Sequence, residues 1–310
     1  MSEPTPESLQ QPADTRCGFV AILGAPNVGK STLVNRMVGS KVSIVSPKVQ
    51  TTRTRVLGIV MAGHAQIVLI DTPGVFVPRR RLDRAMVAAA WGGAADADRI
   101  AFLVDAERKL DRDSKAVLER LAQMKNAPAD AVINKVDLVN KPDLLLLATE
   151  LNETGLFENI FMISAEKGDG VDDLIAHFAK SVRPGPWMFP EDQLSDMPER
   201  LLAAEITREK LYLQLRKELP YAATVETEKW EEHDDGSARL EQTIYVERDT
   251  QKAIVLGAKG SRIKEIGAAA RLELEELLGR RVHLFLFVKV RENWGDDPER
   301  YRDWGLDYKA

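Results

Sequence analysis

The chain has 310 residues, 44% of them hydrophobic, 29% charged and 6% aromatic. That balance belongs to a globular protein of about two domains and excludes a disordered or collagen-like chain. A formal charge of −5 excludes a global positive field, so a nucleic-acid site would have to be a local patch.

In chain order, residues 1–16 (MSEPTPESLQQPADTR) are polar, carry three prolines and read as a disordered lead-in rather than a secretory signal. Cys17 is the only cysteine, which permits no internal disulfide and makes the cytosol the expected address. The longest apolar runs, such as Val282 to Val288, are far short of the ~20 residues that cross a bilayer. From residue 17 to 182, short Ile, Val and Leu runs alternate with amphipathic segments. The runs are Gly18 to Leu23, Gln66 to Ile70, Ile100 to Val104, Ala131 to Asn134 and Ile160 to Ser164. Strands of this texture alternating with helices such as Asp113 to Met124 predict an α/β domain with a mostly parallel sheet. Residues 183–198 form a proline-rich, semi-rigid linker. Residues 199–310 read as a smaller α+β domain. It opens with a helix from Glu199 to Glu218, then strands Thr224 to Glu231 and Leu240 to Glu247 joined by His-Asp-Asp-Gly-Ser. Helical stretches flank Gly257-Ala258-Lys259-Gly260, and a last strand runs from Arg281 to Val290.

The first predicted strand runs into Gly24-Ala25-Pro26-Asn27-Val28-Gly29-Lys30-Ser31, followed by Thr32, which fits the G-x-x-x-x-G-K-[ST] phosphate loop. Its glycines let backbone N–H groups turn toward an anion at the positive end of a helix. Lys30 would reach the β- and γ-phosphates and Ser31 would ligate Mg²⁺. A plain strand-to-helix turn is the competing reading. Asp71-Thr72-Pro73-Gly74 follows another strand and so emerges at a carboxyl end of the sheet, where ligands of open α/β folds bind. Asp71 would hold Mg²⁺ through its water shell, and Gly74 lets its amide approach a γ-phosphate. Val75, next in the chain, can neither accept nor donate a hydrogen bond and so cannot orient a water, and hydrolysis of a bound nucleotide should be slow. In Asn134-Lys135-Val136-Asp137, the Asp137 carboxylate would accept both N–H groups of a guanine edge, which adenine lacks. Asn134 would contact the base and tie loops together, the Lys135 stem would cover the base, and Ser164-Ala165 would complete the pocket through backbone N–H groups.

Gly257 to Gly260 fits the G-x-x-G loop with which KH domains clamp a single-stranded backbone, and the surrounding order of elements matches the type II arrangement. Ile254, Ile263 and Ile266 are candidates for an apolar floor under bases. Residues 183–310 carry 21 Lys and Arg against 26 Asp and Glu, yet Arg248 to Lys264 sums to +4. A small basic face with Lys259, Arg262 and Lys264 suits a short single strand rather than a long duplex.

Taken together, the phosphate loop, Gln50-Thr51-Thr52-Arg53, Asp71-Thr72-Pro73-Gly74, Asn134-Lys135-Val136-Asp137, Phe189-Pro190-Glu191-Asp192 and Glu218-Leu219-Pro220-Tyr221 resemble the Era family of GTPases. The resemblance runs from Cys17 to the C-terminus. It implies a slow GTP/GDP switch that binds small-subunit ribosomal RNA near its 3′ end and assists assembly of the 30S subunit. It also implies a cytoplasmic monomer with peripheral contact at the inner membrane, although no strongly basic amphipathic helix is present to secure that contact. By position, Thr52 is the switch threonine that joins Ser31 and Asp71 on Mg²⁺, with Thr51 the competing assignment. Val42 to Val56 and Asp71 to Asp83 become mobile switches, and Asn27 stands where related potassium-stimulated GTPases hold K⁺. Arg79-Arg80-Arg81 reads as a solvated face rather than a catalytic group. A P-loop kinase with an appended domain, and a membrane or signalling GTPase whose second domain binds protein and whose G-x-x-G is a mere turn, are the alternatives. Against the kinase stand the guanine-type Asn-Lys-x-Asp and the lack of an acceptor-binding element.

Overall fold

Val20 to Leu23 are wholly buried, as a strand covered on both faces must be, and they form the centre of β1 (Arg16–Gly24). The computed structural model describes residues 12 and 14–310 apart from 49–50, 79, 125–127 and 216–218. Most of the expected lead-in, together with Gln50, Arg79 and Glu218, therefore lies outside the described residues. After β1 come α1 (Lys30–Val38), β2 (Val56–Ala62), β3 (Ala65–Asp71), α2 (Arg81–Asp96), β4 (Arg99–Asp105) and α3 (Arg112–Leu121). The first unit closes with β5 (Ala129–Asn134), α4 (Lys141–Glu153), β6 (Ile160–Met162) and α5 (Val171–Ser181). The sheet order is β2-β3-β1-β4-β5-β6. β3, β1, β4, β5 and β6 run parallel, and β2 pairs antiparallel with β3. Side chains such as Phe102, Val117 and Leu147 fill one face, and Leu33, Val34 and Phe178 the other. This is the P-loop α/β architecture expected.

β2 is an element that sequence reading did not place. Its apolar run is broken by Gly58, where a Cβ would lie 2.9 Å from both Val34 and Val38 of α1. The missing side chain lets helix and strand approach, and it also hides the strand pattern. Past β7 (Arg183–Pro184), which pairs antiparallel with the start of β1, the proline-rich segment runs along the exposed edge of β2. Ile59 N donates to Leu194 O at 2.9 Å and Leu57 N to Asp196 Oδ1 at 2.9 Å. An edge strand is thereby covered and the linker held.

The second unit contains α6 (Glu199–Gln214), β8 (Ala223–Glu232), β9 (Ala238–Val246), α7 (Asp249–Leu256), α8 (Ser261–Leu278), β10 (Val282–Val290) and α9 (Pro298–Asp303). Its sheet has the order β10-β9-β8, parallel between β10 and β9 and antiparallel between β9 and β8. Ala204, Leu211, Ile244, Val255, Ile266 and Val288 make the core beneath its helices. Ile266 is thus a core residue and not a floor for bases, whereas Ile254 is exposed and Ile263 half-buried. Trp294, Tyr301 and Trp304 pack on Ala85 and Met86 of α2, joining the two units. Arg81 departs from the expected solvated face: it pairs with Asp296 at 3.3 Å and its guanidinium lies 4.5 Å from the Tyr308 ring centroid. Arg80 stays exposed.

Candidate nucleotide site and nucleic-acid interface

The turn from β1 into α1 is made by Gly29, with φ 98° and ψ 24°. A side chain there would collide with Asn134, whose Nδ2 would stand 2.2 Å from an added Cβ. The turn curls the loop around Lys30, whose Nζ donates to Ala25 O at 2.9 Å and Gly24 O at 3.2 Å. Burial pushes the Lys30 pKa down to about 8; Asp71 counteracts this and Arg108 adds to it. An anion in the loop would therefore meet an ammonium that its surroundings only weakly stabilise. Such a group gains most from a phosphate partner.

Four oxygen-bearing side chains converge beside the start of α1. Ser31 Oγ donates to Asp71 Oδ2 at 2.7 Å and lies 2.9 Å from Thr52 Oγ1, while Ser43 Oγ donates to Asp71 Oδ2 at 2.6 Å. Burial raises the Asp71 pKa against the pull of these hydroxyls and of Lys30. Asp71 Oδ1 is buried without a hydrogen-bond partner. Hydroxyls and one carboxylate, with a carboxylate oxygen unspent, fit a hard oxygen-seeking cation such as Mg²⁺. Between the two candidate threonines, Thr52 is the one at Ser31. Thr51 Oγ1 instead donates to Lys48 O at 2.8 Å and meets Ser46 Oγ at 2.6 Å. Pro26, Asn27, Thr32, Gly74 and Lys135 share with Ser31, Thr51 and Thr52 a cavity of about 350 Å³.

Gly74 lies against the phosphate loop, where an added Cβ would be 2.9 Å from Pro26 Cα. Thr72 Oγ1 ties the Asp71-Thr72-Pro73-Gly74 turn to Ile22 O at 2.6 Å. Val75 N donates to Gly24 O at 3.1 Å and its side chain is buried in the core, so it has no means of orienting water. Asn27 has φ 64° and Nδ2 donating to Pro47 O at 2.9 Å.

Asn134 ties three loops together: its Nδ2 donates to Val28 O at 2.8 Å, and its Oδ1 accepts from Ala165 N at 2.9 Å. Lys135 turns back with φ 66° and pairs with Asp105. The hydroxyl of Ser164, above all, and Lys167 hold the Asp137 carboxyl below its usual range, and Lys167 Nζ stands 3.3 Å from it. Ser164 N donates to Asp169 O at 2.9 Å and Ala165 N to Asn134 Oδ1 at 2.9 Å, so a base reaching these two amides would exchange with partners inside the protein.

In the second unit, Gly257 (φ 71°) and Gly260 (φ 76°) bracket exposed Ala258 and Lys259 at the start of α8. A Cβ at Gly257 would lie 2.9 Å from the backbone N of Arg262, so the turn admits glycine alone. Lys264 is exposed, whereas Arg262 is half-buried with Nη1 donating to Ile254 O at 2.6 Å. The loop thus presents free charge mainly through Lys259 and Lys264. Sequence reasoning missed Arg108, which donates to Pro26 O at 2.7 Å, and Arg208, which lies on a helix like any surface arginine. It quoted Arg53 without a role, yet Arg53 is buried between the two units.

Residues 19–135 match the family model described as 50S ribosome-binding GTPase, and residues 218–295 match the KH domain model. GTPase Era of Bradyrhizobium diazoefficiens (strain JCM 10833 / BCRC 13528 / IAM 13628 / NBRC 14792 / USDA 110) is 60% identical over 301 residues, 97% of each chain. GTPase Era of Rhizobium meliloti (strain 1021) is 62% identical over 294 residues, 95% of this chain and 94% of that relative. A crystal structure of Era in complex with MgGDPNP and nucleotides 1506-1542 of 16S ribosomal RNA is 40% identical. It covers 94% of this chain and 99% of its own at a TM-score of 0.89.

Proposed function

Because this chain belongs to the GTPase Era family, we propose that it is a GTP-operated switch that holds the 3′ end of small-subunit ribosomal RNA and assists assembly of the 30S subunit in the cytoplasm. In this reading the phosphate loop amides and Lys30 seat the β- and γ-phosphates, Ser31, Thr52 and Asp71 hold Mg²⁺, and Asn134, Lys135 and Asp137 select guanine. Magnesium held by these residues would supply positive charge that offsets the charge on the γ-phosphate. Gly74, pressed on Pro26, brings its amide beside the γ-phosphate, and Thr52 closes over the same group. Catalysis is then positioning and electrostatics with no side chain to orient the water, since Val75 faces the core, and turnover is slow. Asn27, its amide nitrogen held by Pro47, presents its carbonyl for a monovalent cation such as K⁺. No helix among the described residues is long and apolar enough to cross a membrane.

The observation that carries the RNA half is the exposed Gly257–Gly260 turn, in a chain that shares its fold with an Era solved on 16S ribosomal RNA nucleotides. Two carboxylates placed there, as Ala258→Asp with Lys259→Asp, should repel a phosphate backbone. Binding of an RNA spanning the 3′ end of the small-subunit RNA should fall about tenfold or more, with a shallower salt dependence. GTP binding should be unchanged, because no residue of the nucleotide cavity lies in this loop. An unaltered RNA dissociation constant at fixed salt would overturn the RNA assignment.

A further inference from the structure

Among the described residues between Gly39 and Val56, the segment that carries Thr52 has no helix or strand, so regular backbone structure does not hold the threonine at Ser31. Contacts from the second unit do. Arg208 of α6 is wholly buried, and its Nη2 donates to the carbonyl of Thr51 at 2.6 Å, one residue before Thr52. Glu205 neutralises that guanidinium from the same helix, with Nε to Oε1 at 2.7 Å. On the other side of Thr52, Arg53 is inserted into a socket of the second unit. Its Nη2 donates to Tyr212 Oη at 2.9 Å and Ala223 O at 3.0 Å, and its guanidinium lies 5.2 Å from the Trp294 ring centroid. Further back along the segment, Val45 N donates to Glu209 Oε1 at 2.8 Å and Lys41 pairs with Glu209 at 2.7 Å.

We propose that Arg208 is a positioning residue of the GTPase reaction, supplied by the RNA-binding unit. It fixes the Thr51 carbonyl, while the Arg53 socket fixes the next residue, so that the Thr52 hydroxyl faces Ser31. Fixing the backbone of a residue costs conformational entropy. A charge-assisted bond on each side of Thr52 is of the size needed to offset that ordering. If Arg208 served only the second unit, the bond to Glu205 within α6 would be sufficient for it. The bond to Thr51 crosses between units and leads to the nucleotide cavity. The inference rests on the reading of Thr52 as the switch ligand given above.

The test uses the full chain and measures affinity for GDP, affinity for a non-hydrolysable GTP analogue with Mg²⁺, and single-turnover hydrolysis. Thr52 meets the γ-phosphate side and not GDP, so Arg208→Gln should weaken the analogue about tenfold or more, with GDP affinity held within about twofold. Hydrolysis should slow by a similar factor. Arg208→Lys, which keeps a cationic donor, should recover part of the loss. Tyr212→Phe keeps the ring but removes one of the two acceptors of Arg53 Nη2, leaving Ala223 O, and should move the same ratio by a few-fold. It decides the matter if Arg208→Gln fails to fold. Equal losses for GDP and the analogue would mean a purely structural role and overturn the proposal. If Thr52→Ala destroys the preference for the analogue while Arg208→Gln and Tyr212→Phe leave it intact, the proposal falls and the switch reading stands. If Thr52→Ala leaves the preference intact, the switch reading fails and the proposal with it.

Discussion

Replacing Gly29 by alanine should destabilise the sheet even with no nucleotide present, through a clash that can be separated from backbone strain. Gly29 has φ 98°, where an L-residue costs about 1–2 kcal/mol. The new methyl would also lie 2.2 Å from Asn134 Nδ2, so Asn134 must move. Moving it breaks the bonds to Val28 O and from Ala165 N, each contributing about 0.5–1.5 kcal/mol. The sum is about 2–5 kcal/mol. In an Asn134→Ala background the clash and both bonds are already gone, so the same substitution should cost only the backbone share, about 1–2 kcal/mol. The resulting coupling can be read as a double-mutant cycle from amide hydrogen exchange in β1 and β5, whose protection reports opening of this sheet. Equal costs in the two backgrounds, within about 0.5 kcal/mol, would refute the clash and leave backbone strain as the whole effect.

Lys30, at a pKa of about 8 in the nucleotide-free protein, should be mostly uncharged at pH 9, and a bound phosphate raises its pKa. Nucleotide binding at pH 9 should therefore take up about 0.9 proton, seen by calorimetry in buffers of different ionisation enthalpy, and affinity should fall about tenfold per unit above pH 8. No uptake between pH 8 and 9 would show that burial does not depress the amine. By the same linkage the folded chain binds fewer protons than the unfolded one between about pH 8 and 10.5, so the nucleotide-free protein should gain stability as pH rises through that window. Asp137→Asn replaces an acceptor with a group that also donates, and should move preference from guanine to xanthine nucleotides in a competition titration; retained preference for GTP over XTP would remove Asp137 from the base site. Asp130, wholly buried, accepts from Arg99 at 2.8 Å, Asn159 at 2.9 Å and His177 at 2.9 Å. Asp130→Ala should cost about 3 kcal/mol in stability with GTP affinity unchanged, since it lies near the start of β5, away from Asn134 at its end. A loss under about 1 kcal/mol would mean that the three donors find other partners.

What the sequence determined by itself is the phosphate loop, the Asp71–Gly74 and Asn134–Asp137 turns, the G-x-x-G turn and the parallel strands between them. Each is a contiguous run whose residue types are dictated locally: glycine where φ is positive or space is absent, and unbroken Val, Ile and Leu where a strand is buried on both faces. The hairpin strand β2 escaped because Gly58 breaks its apolar run for the sake of a helix packed against it. Tertiary structure alone decided that Thr52 and not Thr51 meets Ser31, because two adjacent threonines outside any helix or strand differ only in what surrounds them. It also decided that the Ser164 and Ala165 amides bond to Asp169 and Asn134 within the protein, and that Ile266 is core. The largest illegible part is the junction between the two units. Arg53 and Arg208 look in sequence like any solvated arginines, and their burial follows only from which faces of the two folded units meet, a relation that no local pattern encodes.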